Sequence, residues 1–114
     1  MKLTDEAKID FLEYYWSKYI GKSRFYNQKE ETEDFFNCLY PIFQNALIIE
    51  WFDSIGIYIT IKNKFGQNKQ ARIFWYSLNK GEKNNDVYLY KSEATNKAIE
   101  KANQIYNQEK HGKI

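Results

Sequence analysis

The residues of this chain whose chemistry could reach beyond packing are one histidine, one cysteine and a short run of carboxylates. His111 is the sole imidazole and lies in a polar closing segment. A general base must be held within hydrogen-bond reach of the proton it takes, and that segment offers nothing to hold it. Cys38 sits among Phe35, Phe36, Leu39 and Tyr40, surroundings that predict a buried, inert thiol and not a nucleophile with a positioned base. Without a second His or Cys there is no zinc ligand set. Glu30, Glu31, Glu33 and Asp34 could be taken for a metal site or a small acidic patch imitating nucleic acid. A solvated helix start explains them better, because the helix dipole favours negative charge there. Glu50 and Asp53 are near one another in sequence, but nothing pairs with them in an acid/base role. The five glycines stand apart at 21, 56, 66, 81 and 112, so no phosphate-cradling loop is present. These residues predict no catalytic group, no metal and no cofactor, hence a protein that is not an enzyme.

The second kind of chemistry is recognition. Six Lys/Arg against ten Asp/Glu give residues 1–56 a charge of −4, and eleven against five give residues 57–114 a charge of +6. Within the basic half, Lys62, Lys64, Lys69, Arg72, Lys80 and Lys83 face only Glu82 over residues 62–83. Such an excess can meet phosphates or an acidic protein surface. Aromatics interleave with it. If one sheet face carries Ile57, Ile59, Ile61, Ile73, Trp75, Val87 and Leu89, the other presents Tyr58, Phe74, Tyr76, Tyr88 and Tyr90 beside Thr60, Lys62 and Arg72. An open sheet with aromatic rings and cations is one way single-stranded RNA is bound. The same rings would be core if a helix covers that face, and both arrangements fit the sequence.

The elements that must position these residues follow from periodicity. Thr4 can cap a first helix with Asp5 and Glu6 in its first turn. Leu12, Tyr15, Trp16 and Tyr19 form one helical face, Ala7, Phe11 and Tyr14 a second, and Gly21 a stop. Asn27 and Glu30 fit a capping box for a second helix, with apolar positions Phe35, Leu39, Ile42, Ala46, Ile49 and Phe52. Pro41 predicts a kink or break near Tyr40. Residues 47–52 read as helix or strand. Helix is preferred because Asp53-Ser54-Ile55-Gly56 looks like a helix exit. Strands are expected at 57–62, 72–78 and 87–90 by alternation. Ser92 is expected to cap a last helix with a stripe of Ala94, Ala98, Ala102 and Ile105, widened by Ile99 and Tyr106, and with Glu93 and Lys97 as an i,i+4 pair.

The expected fold is therefore α+β, of order α-α-β-β-β-α, with a three-stranded antiparallel sheet packed by helices. Residues 1–108 make one domain and 109–114 a flexible polar tail. With 21 aromatic residues, 18% of the chain, even a small domain can bury a sizeable core. The opening residues lack an apolar signal segment and no run is long enough for a membrane span, which points to the cytoplasm.

Two segments carry a resemblance: Trp51-Phe52-Asp53-Ser54-Ile55-Gly56-Ile57-Tyr58-Ile59 and Tyr90-Lys91-Ser92-Glu93-Ala94-Thr95-Asn96-Lys97-Ala98-Ile99. Over about residues 43–107 the chain resembles small accessory proteins of bacteriophages and mobile elements. The resemblance implies a binding protein that blocks or assists a host machine, as anti-CRISPR inhibitors do, with a host protein or ribonucleoprotein as partner. A single-stranded RNA- or DNA-binding module is the competing expectation. The candidate contact residues are Tyr58, Lys62, Lys64, Lys69, Arg72, Phe74, Tyr76, Lys80, Lys83, Tyr88 and Tyr90.

Overall fold

The computed structural model describes residues 1–21, 29–66, 71–80 and 86–112. Helix α1 (Asp5–Tyr15) begins where Thr4 and the two following acids predicted it. Its buried line is Ala7, Phe11 and Tyr15, at i, i+4 and i+8, and Tyr19 is exposed beyond it. The helix widens into a π turn, Trp16–Ile20, before Gly21. Gly21 has an ordinary right-handed φ, so conformational freedom does not explain it. Space does: a Cβ there would lie 3.0 Å from the Trp16 ring.

The capping of α1 departs from the sequence expectation. Thr4 occupies the N-cap position, but its hydroxyl makes no cap bond. The N–H of Ala7 instead donates to Oδ1 of Asn107, at 2.9 Å, from the far end of the chain. Asn107 Nδ2 donates back to the Thr4 carbonyl at 3.1 Å. Asn103 accepts from the Thr4 N–H and donates to the Thr4 hydroxyl, both at 3.0 Å. Two asparagines four residues apart on one helix face thus clamp the start of another helix. Between the clamped groups Asp5 sits at φ 53°, a left-handed conformation that Asp tolerates better than most residues.

The single second helix expected from spacing is two. After a short 3-10 turn (Lys29–Glu31), α2 (Thr32–Asn37) ends, and α3 (Pro41–Ser54) starts afresh with Pro41 in its first turn. Proline is suited to that position and drives its predecessor to extended geometry; Tyr40 has ψ 145°. The break expected near Tyr40 is therefore present. Gln44 closes it by donating to the carbonyls of Phe36, Asn37 and Leu39 at 2.9 to 3.3 Å. The break also shifts the helical phase. Phe36, Ile48, Trp51 and Phe52 are buried, whereas Phe35, Ile42 and Ala46, expected on the apolar stripe, are exposed. Residues 47–52 are helical. The exit is a Schellman turn: Ile57 N–H donates to Phe52 O at 2.9 Å, Gly56 N–H to Asp53 O at 3.2 Å, and Gly56 holds φ 86°. Asn27 lies outside the described residues.

Strands β1 (Ile59–Phe65) and β2 (Arg72–Leu78) form one antiparallel hairpin. The three-stranded sheet is corrected to two strands among the described residues. Of the expected third strand only a bridge between Phe74 and Tyr88 remains, closed by two 2.8 Å backbone bonds. Helix α4 (Lys91–His111) follows, so the described order is α-α-α-β-β-α. Its N-cap is Tyr90 and not Ser92, and Lys97 lies 3.4 Å from Glu100 where a partner at Glu93 was expected. The stripe Ala94, Ala98, Ile99, Ala102 and Ile105 is buried as periodicity predicted.

Small alanines on α4 let α1, α3 and the hairpin approach it closely. The core they enclose is aromatic. Phe11 meets Phe36 edge-on at 5.0 Å and Trp51 at 5.8 Å, and Trp51 meets Tyr106 at 5.1 Å. Rings in this geometry contribute beyond their buried area. No helix among the described residues is long and apolar enough to cross a membrane.

Candidate interaction surface

The hairpin decides which of the candidate residues can act together. Residues directly opposite one another in an antiparallel pair share a face. Ile59 opposes Leu78 and Ile61 opposes Tyr76, while Lys62 opposes Trp75 and Lys64 opposes Ile73. Tyr76 is therefore on the inner face with Ile59 and Ile61, against α4, and is 7% exposed. The outer face holds Tyr58, Thr60, Lys62 and Lys64 of the first strand and its lead-in. From β2 it holds Ile73, Trp75 and Ser77. The expectation that Phe74 and Tyr76 share a face with Lys62, and that Trp75 and Ile73 face the core, is overturned. The physical reason is that β2 is apolar on both sides. Alternation fixes which residues go together within one strand, and the cross-strand register alone fixes which set faces inward.

Trp75 is thus the aromatic residue that sequence reasoning assigned to the wrong side. Lys64 Nζ stands 5.8 Å from its ring centroid. Thr60, Lys62 and Lys64 are exposed, Tyr58 is 54% exposed, and Ile73, Trp75 and Ser77 are half-buried. The backbone of Tyr58 is fixed by Asn79, which accepts its N–H at 2.7 Å and donates to Gly56 O at 2.9 Å. At the end of the hairpin where the two strands are connected, the Arg72 guanidinium lies over the Phe65 ring at 4.2 Å and donates to Asn63 Oδ1 at 2.5 Å. That stacking holds the cation in place with its outer donors turned to solvent.

The other candidates scatter. Lys80 is exposed and 3.6 Å from Glu109 of α4. Phe74 and Tyr88 are half-buried across their bridge, and Tyr90 is 66% exposed at the start of α4. Lys69 and Lys83 lie outside the described residues. Of the candidate residues, Tyr58, Lys62 and Lys64 therefore stand together on the hairpin's outer face with Trp75, whereas Arg72, expected beside Lys62, is opposite Phe65 and exposed on the other face.

The acid/base candidates also find their places. Cys38 is exposed at the end of α2, which corrects the expected burial. Its position follows from the helix break, which turns the α2–α3 junction outward together with Tyr40, Ile42 and Phe43. Glu33 pairs with Lys8 and Lys29 with Glu13, so the acidic helix start is part of the surface ion-pair set. Glu50 accepts from Lys18 Nζ at 2.7 Å and from the Tyr19 hydroxyl at 2.6 Å. Those bonds, Lys18 first, hold its carboxyl below the usual carboxylate range and raise the Lys18 and Tyr19 values. Among the described residues no group of three or more His, Cys, Asp or Glu is gathered as a metal site would need.

No protein-family model, curated protein or solved structure matches this chain. What the molecule can do is read from its own surfaces.

Proposed function

We propose that this is a non-enzymatic binding protein of the inhibitor or accessory type, which presses its β-hairpin against an acidic surface of a protein or ribonucleoprotein. The observation that supports this reading most is the composition of the hairpin's outer face. Tyr58, Lys62, Lys64 and Trp75 lie together there, and residues 54–81 contain five Lys/Arg and no Asp or Glu. Cations without compensating carboxylates favour an anionic partner and speed encounter with it. Tyr and Trp add contact area at low entropic cost. The accessory role comes from the resemblance of residues 51–59 and 90–99 to phage and mobile-element proteins. In this reading the protein works by occupancy.

A second reading is direct binding of single-stranded RNA, and Trp75 beside Lys64 is the observation that favours it. A partly exposed indole flanked by a cation is a stacking position for a base.

One set of variants tests both. Lys62→Glu with Lys64→Glu should abolish capture of the partner, and Glu31→Lys with Glu33→Lys should leave it. Trp75→Ala should weaken binding and cost less stability than Tyr76→Ala, which should destabilise the fold by about 3 kcal/mol. Titration with a short single-stranded RNA at two salt concentrations separates the readings. Affinity that falls with added salt, with a slope shallower by about 0.7 for each phosphate-binding lysine replaced, supports RNA. Retention of the partner by the Lys62/Lys64 variant, or failure of the Glu31/Glu33 variant to capture it, refutes the hairpin as the binding surface.

A further inference from the structure

We propose that the groove between the starts of α3 and α4 binds a small amphiphile with one carboxylate on an unbranched apolar tail. The groove has a volume of about 820 Å³, within the range of small-molecule sites. Its walls are apolar: Ile42, Ala46 and Ile49 of α3, and Ile61 from the inner face of the hairpin. These α3 positions follow at i, i+4 and i+7, so they form one strip along the helix.

The polar end is built around Lys2. Its ammonium donates to Asn96 Oδ1 at 2.6 Å and to Asn45 Oδ1. Asn45 Nδ2 in turn donates to Asn96 Oδ1 at 3.2 Å. An ammonium carries three donors, and the two amide oxygens take two. The third is left for a ligand. Both partners are neutral, so the charge of Lys2 is uncompensated where burial already lowers its pKa. Lys91 is a second cation on the rim, no Asp or Glu lines the groove, and neither lysine has an ion pair among the described residues. An anion placed there gains a charge-assisted bond and relieves the desolvated cation.

The rest of the groove decides what kind of anion. Its apolar walls give a polynucleotide's repeated charges nothing to meet beyond the polar end. A divalent cation would find no carboxylate. A single anionic head with an alkyl tail matches both ends at once. This site is separate from the hairpin's outer face and does not rest on the function proposed for it.

The test is a titration of the full chain with decanoate below its micelle concentration, following the Asn45 and Asn96 side-chain amides by NMR. Decanol, with the same tail and no charge, is the comparison. We expect saturable shifts of both amides with decanoate and binding of decanol weaker by about tenfold or more. Lys2→Met should weaken decanoate by a similar factor. Ala46→Trp fills the groove from an exposed wall position and should abolish binding without changing the melting midpoint. It decides the matter even if Lys2→Met perturbs the fold. Absence of saturable shifts, equal binding of decanol, or decanoate affinity unchanged in Ala46→Trp would overturn the proposal.

Discussion

Replacing Asn107 with alanine should destabilise this protein far more than replacing Thr4, although Thr4 holds the position from which a helix is ordinarily capped. A helix start leaves its first backbone N–H groups without internal partners. Here the Ala7 N–H is satisfied by Asn107 Oδ1 at 2.9 Å, and the Thr4 carbonyl accepts from Asn107 Nδ2 at 3.1 Å. Ala7 is fully buried and Asn107 is 9% exposed, so water cannot easily replace the bond between them. Each buried backbone group left unpaired costs about 1–3 kcal/mol. The Thr4 carbonyl keeps a second donor, the Lys8 N–H at 3.2 Å, so the Ala7 N–H alone is left unpaired and the expected cost is about 1–3 kcal/mol. Against a total of about 5–15 kcal/mol that is a large fraction. The melting midpoint should fall by about 5 °C or more. Thr4→Ala removes only the hydroxyl, which accepts from Asn103 at 3.0 Å and from Asn107 at 3.3 Å, and should cost no more than about 1 kcal/mol. Urea unfolding followed by circular dichroism measures both, and an unchanged slope keeps the two comparable. If Thr4→Ala proves the costlier, or if Asn107→Ala costs under about 0.5 kcal/mol, the clamp is not what holds α1 in place.

Gly56→Ala should destabilise by about 1–2 kcal/mol in the same assay, because φ 86° is unfavourable for any residue with a Cβ even though open space surrounds it; an unchanged midpoint would mean that the exit of α3 can adopt another turn. The Glu50 carboxyl, held below its ordinary value first by Lys18 and then by Tyr19, contributes stability that is present above the unfolded carboxylate value of about 4.3 and is lost as pH falls through the lower folded one. Wild type and Glu50→Gln should therefore differ in stability at neutral pH and converge as the pH falls below the carboxylate range, and a gap that persists in acid would show that packing, not charge, distinguishes them.

Periodicity carried the helices well where the apolar stripe was unbroken. The alanine stripe of α4 and the Asp53–Gly56 exit were readable because each is a local pattern with a local cause. The stripe drawn through Phe35, Ile42 and Ala46 failed because it assumed one helical phase across Pro41, and the break resets that phase. The Asn103–Asn107 clamp was invisible for a different reason. Two polar residues four apart on a helix read as a solvated face, and their partners lie about a hundred positions away in sequence. Of the candidate contact residues, Tyr58, Lys62 and Lys64 are exposed on the hairpin's outer face, where the ring of β2 beside them is Trp75 and not Tyr76, and Arg72 is exposed on the other face. Both faces of β2 are equally apolar in sequence, so composition held no information about which side turns inward.

That ambiguity bears on how the hairpin can serve as a contact surface. Its inner side is committed: Ile59, Ile61 and Tyr76 pack toward α4, and Tyr76 is nearly fully buried there. On the outer side Lys62 and Lys64 are exposed and Trp75 is half-buried, so substitutions at the two lysines should disturb the core little. The position of that side is fixed from behind. α4 packs on the hairpin, on α3 and on α1, and through Asn103 and Asn107 it also holds residues 4–7. The net-negative first half is thereby fastened to the net-positive second half through α4, with α3 also meeting β1, and the hairpin's basic face is backed by the core. A face held this way can bind with little rearrangement, which keeps the entropic cost of association low.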